Sequence, residues 1–203
     1  MMALLKELGL DDNTIFMISS DNGPATGCGT DPEFFNSSGG LRGGKMSLFE
    51  GGIRMPFIVR WPGKVPAGSI SDFPSAQFDM FATLSELTGE KMNWKTDGVS
   101  LLPSFLGQPK KQQQRDYLYF EYVDEGGQQA IIKDNGRWKG VKMNVKRGNT
   151  TWKLYDLTND RAESKDLAAE HPEMIEEFEA IVLKEHQRAT ITEWEFVNKN
   201  WQK

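Results

Sequence analysis

Residues 23–63 hold ten of the chain's twenty glycines, at positions 23, 27, 29, 39, 40, 43, 44, 51, 52 and 63. Glycine makes irregular backbone cheap and regular backbone costly, so this density excludes a long helix or strand there. Phe34, Phe35, Leu41, Leu48, Phe49 and Ile53 are interleaved with the glycines, which gives the stretch apolar surface to pack and argues against a disordered linker. Ordered loops beyond about 12–15 residues inside a compact domain are usually functional. We read this one as a binding loop.

What precedes the loop gives it a setting. Met2-Ala3-Leu4-Leu5-Lys6-Glu7-Leu8-Gly9 reads as the end of an amphipathic helix stopped by glycine. Thr14-Ile15-Phe16-Met17-Ile18-Ser19 is a nearly continuous apolar and β-branched run, the pattern of a parallel strand covered on both faces. Ser20-Asp21-Asn22-Gly23-Pro24 follows at its carboxyl end, where open α/β sheets place their ligands. Beyond the loop, 55–61 reads as a second strand and 77–87 as a helix whose apolar stripe is Phe78, Phe81, Ala82, Leu84 and Leu87. The segment 100–106 reads as one more helical turn.

The stretch 108–115 has no apolar residue, and the pattern changes after it. The sequence therefore divides into 1–110, α/β in character, and 111–203, a smaller α+β part. Strands are expected at 117–123, 129–133, 138–145 and 151–157, the last two joined as a hairpin. A helix opened by His171-Pro172 and running to about 188 would cover the sheet.

Charge narrows the partners. The net charge is −5, with nine basic against twelve acidic residues through position 110 and fifteen against seventeen beyond it. Neither part carries a basic footprint, so nucleic acid is not an expected partner. No apolar stretch approaches the roughly 18–20 residues of a membrane helix, so no membrane association is expected either. Cys28 is the single cysteine. It has no partner at metal-ligand spacing and reads as a structural or free thiol.

Three groups of residues could carry chemistry. Gly39-Gly40-Leu41-Arg42-Gly43-Gly44-Lys45 has the glycine and lysine spacing of a phosphate loop, but Met46 stands where a hydroxyl must meet Mg²⁺ and no strand feeds the loop. Lys45 remains a candidate anion ligand, a point charge with three donors, against the alternative of a solvated loop lysine. Asp21 and Asn22 offer adjacent oxygen donors suited to a hard cation such as Ca²⁺, or else form a local turn that stops the strand. Seven basic residues between Lys133 and Lys153 fall on strand alternation and read as a solvated sheet face. His171 and His186 read as helix-end residues rather than catalytic ones.

Taken in order, Ser20-Asp21-Asn22-Gly23-Pro24, Asp31-Pro32-Glu33-Phe34-Phe35, Leu41-Arg42-Gly43-Gly44-Lys45, Phe49-Glu50-Gly51-Gly52-Ile53-Arg54-Met55-Pro56 and Arg60-Trp61-Pro62-Gly63 resemble the C-terminal portion of a formylglycine-dependent sulfatase of the arylsulfatase type. Gly98-Val99-Ser100-Leu101-Leu102-Pro103 and Lys153-Leu154-Tyr155-Asp156-Leu157 extend the resemblance from about residue 4 to about residue 185. It implies an α/β fold, a partial alkaline-phosphatase-like domain followed by a small C-terminal antiparallel sheet packed by a helix. It further implies that Asp21 and Asn22 are ligands to a Ca²⁺ ion beside the sulfate and that Lys45 contacts the sulfate as a catalytic and substrate-binding residue. Arg42, Glu50 and Arg54 receive no role.

The family's nucleophile is a formylglycine made from a Cys/Ser-x-Pro-x-Arg motif, which occurs nowhere in these residues. By the family pattern the chain is expected to hold the last third or half of an enzyme, to lack half of the calcium site and to be inactive alone. Ala25 stands where many bacterial members have a histidine. A sulfated small molecule or glycan is the expected substrate, and a periplasmic or secreted location is the family expectation. Two other readings stay open: a phosphodiesterase or phosphonate hydrolase of the same superfamily, and a non-catalytic module that binds anionic glycans through Lys45 and the basic hairpin face.

Overall fold

A computed structural model describes residues 1–27, 29–91 and 93–195. In chain order the elements are α1 (Met2–Glu7), β1 (Phe16–Ser19), α2 (Glu50–Ile53), β2 (Phe57–Arg60), α3 (Asp79–Thr88), α4 (Leu102–Phe105), β3 (Tyr117–Tyr122), β4 (Gln128–Lys133), β5 (Trp138–Met143), β6 (Trp152–Asp156) and α5 (Pro172–Glu185). None of the described helices is long and apolar enough to cross a membrane. Cys28 lies outside the described residues.

The chain divides into two compact units, Met1–Ser20 with Pro56–Arg115 and Asp21–Met55 with Asp116–Lys203. The sequence places one boundary at 110/111. In the structure the units break at 20/21, 55/56 and 115/116, and the glycine-rich loop groups with the later residues, where Leu48 and Phe49 pack.

In the first unit β1 pairs antiparallel with β2, Phe16 opposite Arg60 and Ile18 opposite Ile58. This corrects the expectation of a doubly covered parallel strand. Among the described residues β1 has β2 alone as a sheet neighbour, and the facing pair Ile18 and Ile58 is 52% and 60% exposed. The α3 stripe is corrected too. Its buried residues are Asp79, Ala82 and Thr83, while Phe81 and Leu84 lie open. Asp79 accepts hydrogen bonds from the Ala76 and Val99 amides and pairs with buried Arg115 at 2.5 Å, so polar satisfaction decides which face of the helix turns inward.

The second unit is built on a four-stranded antiparallel meander, β3-β4-β5-β6. Alternation sends Ile131, Trp138, Trp152 and Leu154 to one face, where Met174, Phe178, Ile181 and Val182 of α5 cover them. Gly140 sits under Phe178, whose ring a Cβ would meet at 2.4 Å. Ala130, Val141 and Tyr155 point to the opposite face and pack against Leu48 and Phe49 of the glycine-rich loop. The sheet is thus covered by the expected helix on one side and by the glycine-rich loop on the other. His171 caps the start of α5 and His186 its end, the latter held between Glu121 at 2.8 Å and Glu195 at 2.9 Å.

Candidate functional site

Four glycines explain how the loop closes on itself. A Cβ on Gly23 would lie 1.8 Å from the Gly51 carbonyl oxygen, on Gly44 2.6 Å from that of Pro24, on Gly51 2.4 Å from that of Gly43, and on Gly52 1.9 Å from that of Ser47. Backbone therefore lies directly on backbone, a spacing no side chain permits. The contacts are sealed by hydrogen bonds: Gly23 N–H to Gly52 O at 3.0 Å, Lys45 N–H to Pro24 O at 2.9 Å and Gly51 N–H to Arg42 O at 2.7 Å.

This ladder sets the candidate residues side by side. Asp21 and Asn22 immediately precede the Gly23-Pro24 segment, and Lys45 is bonded to that segment through its own amide. The Asn22 carboxamide donates to Gly23 O at 2.9 Å, which fixes which end of the amide faces the backbone. Asp21 and Lys45 are exposed and Asn22 half-buried. The bond to Gly23 O holds the Asn22 carboxamide against the backbone bend at 21–23.

As donors, the Asp21 carboxylate and the Asn22 carbonyl oxygen match a hard cation in kind. They fall short in number, because Ca²⁺ takes 6–8 oxygens and the described residues contain no group of three or more His, Cys, Asp and Glu side chains able to hold a metal ion.

The loop is pinned to the sheet by a buried charge cluster that sequence patterning missed. Lys139 of β5, fully buried, donates to Glu50 Oε1 at 2.8 Å, and its Nζ lies 3.1 Å from Glu163 Oε1. The second contact is electrostatic, without hydrogen-bond geometry, and leaves that oxygen unbonded among the described residues. Glu163 Oε2 accepts the Glu50 amide at 2.7 Å, and Arg54 reaches Glu50 Oε2 at 3.0 Å. Burial pushes the Glu50 carboxyl up, but Lys139 and Arg54 together outweigh it and hold it below the usual carboxylate range. At Glu163 burial prevails over Lys139 and the Glu50 amide, and the carboxyl is raised. Arg42 stacks over the Phe49 ring at 4.0 Å and donates to Tyr155 Oη at 3.0 Å and Glu163 O at 2.9 Å.

The solvated basic face is therefore a misreading. Lys139 and Lys142 are buried, Lys142 pairing with Glu179 at 2.8 Å, and Lys133 pairs with Glu177. Strand alternation puts Lys142 on the face that α5 covers and Lys139 on the opposite face under the glycine-rich loop, but it does not show that carboxylates distant in sequence meet them there.

With this geometry in view, residues 44–189 match the family model described as N-sulphoglucosamine sulphohydrolase, C-terminal. The chain belongs to this sulfatase family. It is 32% identical over 203 residues to an N-acetylgalactosamine-6-O-sulfatase of Bacteroides thetaiotaomicron, covering 89% of the chain but 38% of that relative's length. A solved structure from glycosaminoglycan metabolism in Bacteroides thetaiotaomicron superposes with a TM-score of 0.71 at 32% identity, over 90% of this chain and 41% of that one. A phosphonate monoester hydrolase of Silicibacter pomeroyi superposes with a TM-score of 0.66 at 19% identity, over 90% of this chain and 36% of that one, which shows a common fold alone. The α/β class and the helix-packed antiparallel sheet of this sulfatase chain are those of its alkaline-phosphatase-like neighbours.

Proposed function

We propose that this chain supplies the sulfate-binding loop of a sulfuric ester hydrolase acting on a sulfated sugar or a related small sulfate ester. The observation that carries this reading is the backbone ladder joining Gly23-Pro24 to Lys45 and Gly52 in a chain of the sulfatase family. Lys45 is the substrate-binding residue. Its ammonium, on a loop fixed before substrate arrives, meets sulfate oxygens that gain charge as the S–O bond breaks, and a preorganised cation there lowers the barrier. Asp21 and Asn22 are the oxygen ligands that this chain gives to a Ca²⁺ ion, which when bound would neutralise sulfate charge; the remaining ligands and a formylglycine nucleophile would come from sequence other than these 203 residues.

The phosphonate-hydrolase reading has fold likeness in its favour, but the arylsulfatase-like glycine loop favours sulfur. The anionic-glycan module loses support because the hairpin lysines Lys139 and Lys142 are spent on buried ion pairs.

The test is lysine footprinting of the purified chain with an amine acylating reagent. A saturating sulfate monoester of an N-acetylhexosamine should slow acylation of Lys45 several-fold and leave exposed Lys64 unchanged. Equal acylation of Lys45 with and without the ester would overturn the assignment, and stronger protection by the matching phosphonate monoester would favour the phosphorus reading.

A further inference from the structure

The residue that follows Lys45 has a backbone that its side chain does not favour. Met46 sits at φ +70°, in the left-handed region, with its side chain 47% exposed, so packing of that side chain does not hold it there. What spans this turn is the carboxamide of Gln128 on β4, 1% exposed. Its Nε2 donates to Met46 O at 2.9 Å, and its Oε1 accepts the Leu48 amide at 3.0 Å. One buried side chain thereby bridges the residues on either side of Ser47, whose own amide closes the turn onto Gly44 O at 3.1 Å. Lys45 is left between two fixed points, its amide on Pro24 O and its carbonyl side on the clamped turn.

We propose that Gln128 is a positioning residue for Lys45: it locks the left-handed turn at Met46 and so aims the ammonium of Lys45 at the bound anion. Strained non-glycine backbone persists only where surrounding structure over-determines it, and such strain gathers at ligand clamps. Both polar ends of the Gln128 amide are used on this turn, which a merely space-filling residue would not require. The functional meaning rests on Lys45 being the anion ligand proposed above, but the test reads loop order without any ligand, so the two fail separately.

The experiment is amide hydrogen exchange of the labelled 203-residue chain, read residue by residue. Gln128→Met, close in shape but without the amide, should speed exchange at Lys45, Ser47 and Leu48 at least ten-fold while Ile131, Val141 and Leu154 stay within two-fold. Adding Met46→Gly, which adopts a positive φ without help, should restore protection at Lys45 and Ser47. Met46→Val alters an exposed side chain only and, being β-branched, should by itself loosen the same amides. This variant decides the matter if Gln128→Met does not fold. Unchanged exchange at Lys45 in Gln128→Met or in Met46→Val, or loss of protection that Met46→Gly does not repair, would overturn the proposal.

Discussion

At Lys139 a single buried ammonium faces two carboxylates, which burial and that cation shift in opposite directions. Glu50, lowered, contributes stability that is present above the ordinary glutamate pKa and is lost as pH falls through its folded value. Glu163, raised, contributes in the opposite sense, with stability present below the ordinary value and lost as pH rises through its folded one. Because burial disfavours the charged form of Glu163, a neutral side chain there costs the cluster little. Glu163→Gln retains an acceptor for the Glu50 amide and should change stability by no more than about 1 kcal/mol at pH 7. Lys139→Met strips both carboxylates of their buried cation and should cost about 3–5 kcal/mol. Urea denaturation checks both, and equal losses would refute the division of roles. Neither residue is legible as a partner in the sequence, because Glu50 and Lys139 lie 89 positions apart and local alternation carries no information at that range.

The glycine-rich loop and the sheet are the elements on which the site depends. That the loop is ordered can be read from its interleaved aromatics, and that glycine is required follows once backbone is seen to touch backbone at Gly23 and Gly52. Gly52→Ala would place a methyl group 1.9 Å from Ser47 O and should cost about 3 kcal/mol or more by overpacking. Gly68→Ala has open space around it and a φ of +70°, so only backbone strain is added, about 1 kcal/mol. Thermal or urea unfolding of the two variants compares them, and a Gly52→Ala loss no greater than that of Gly68→Ala would show that close approach is not what selects glycine. The four later strands are readable as runs rich in aromatic and aliphatic residues, with apolar side chains on both faces, and α5 from its single apolar stripe. The pairing of β1 with β2 is misread because a continuous apolar run signals burial and carries no information on strand direction, which is antiparallel here.

For the whole molecule, family membership is legible because motif order and spacing survive where individual residues are ambiguous, as Asp21, Asn22 and Lys45 are when taken singly. The sequence does not show that the loop folds onto the C-terminal sheet, since grouping Asp21–Met55 with Asp116–Lys203 depends on long-range packing of Leu48 and Phe49. The chain spans 38% of its Bacteroides relative, so the proposal that it binds a sulfate anion through Lys45 is tested most directly on the chain itself. That measurement is a nuclear magnetic resonance titration of the isotope-labelled chain with the 6-sulfate of N-acetylgalactosamine, comparing wild type, Lys45→Ala and Lys64→Ala. The account predicts saturable shifts at residue 45 and at residues 22–24 in wild type and Lys64→Ala, and their loss in Lys45→Ala. Shifts that persist in Lys45→Ala, or that spread over surface lysines without saturating, would contradict it.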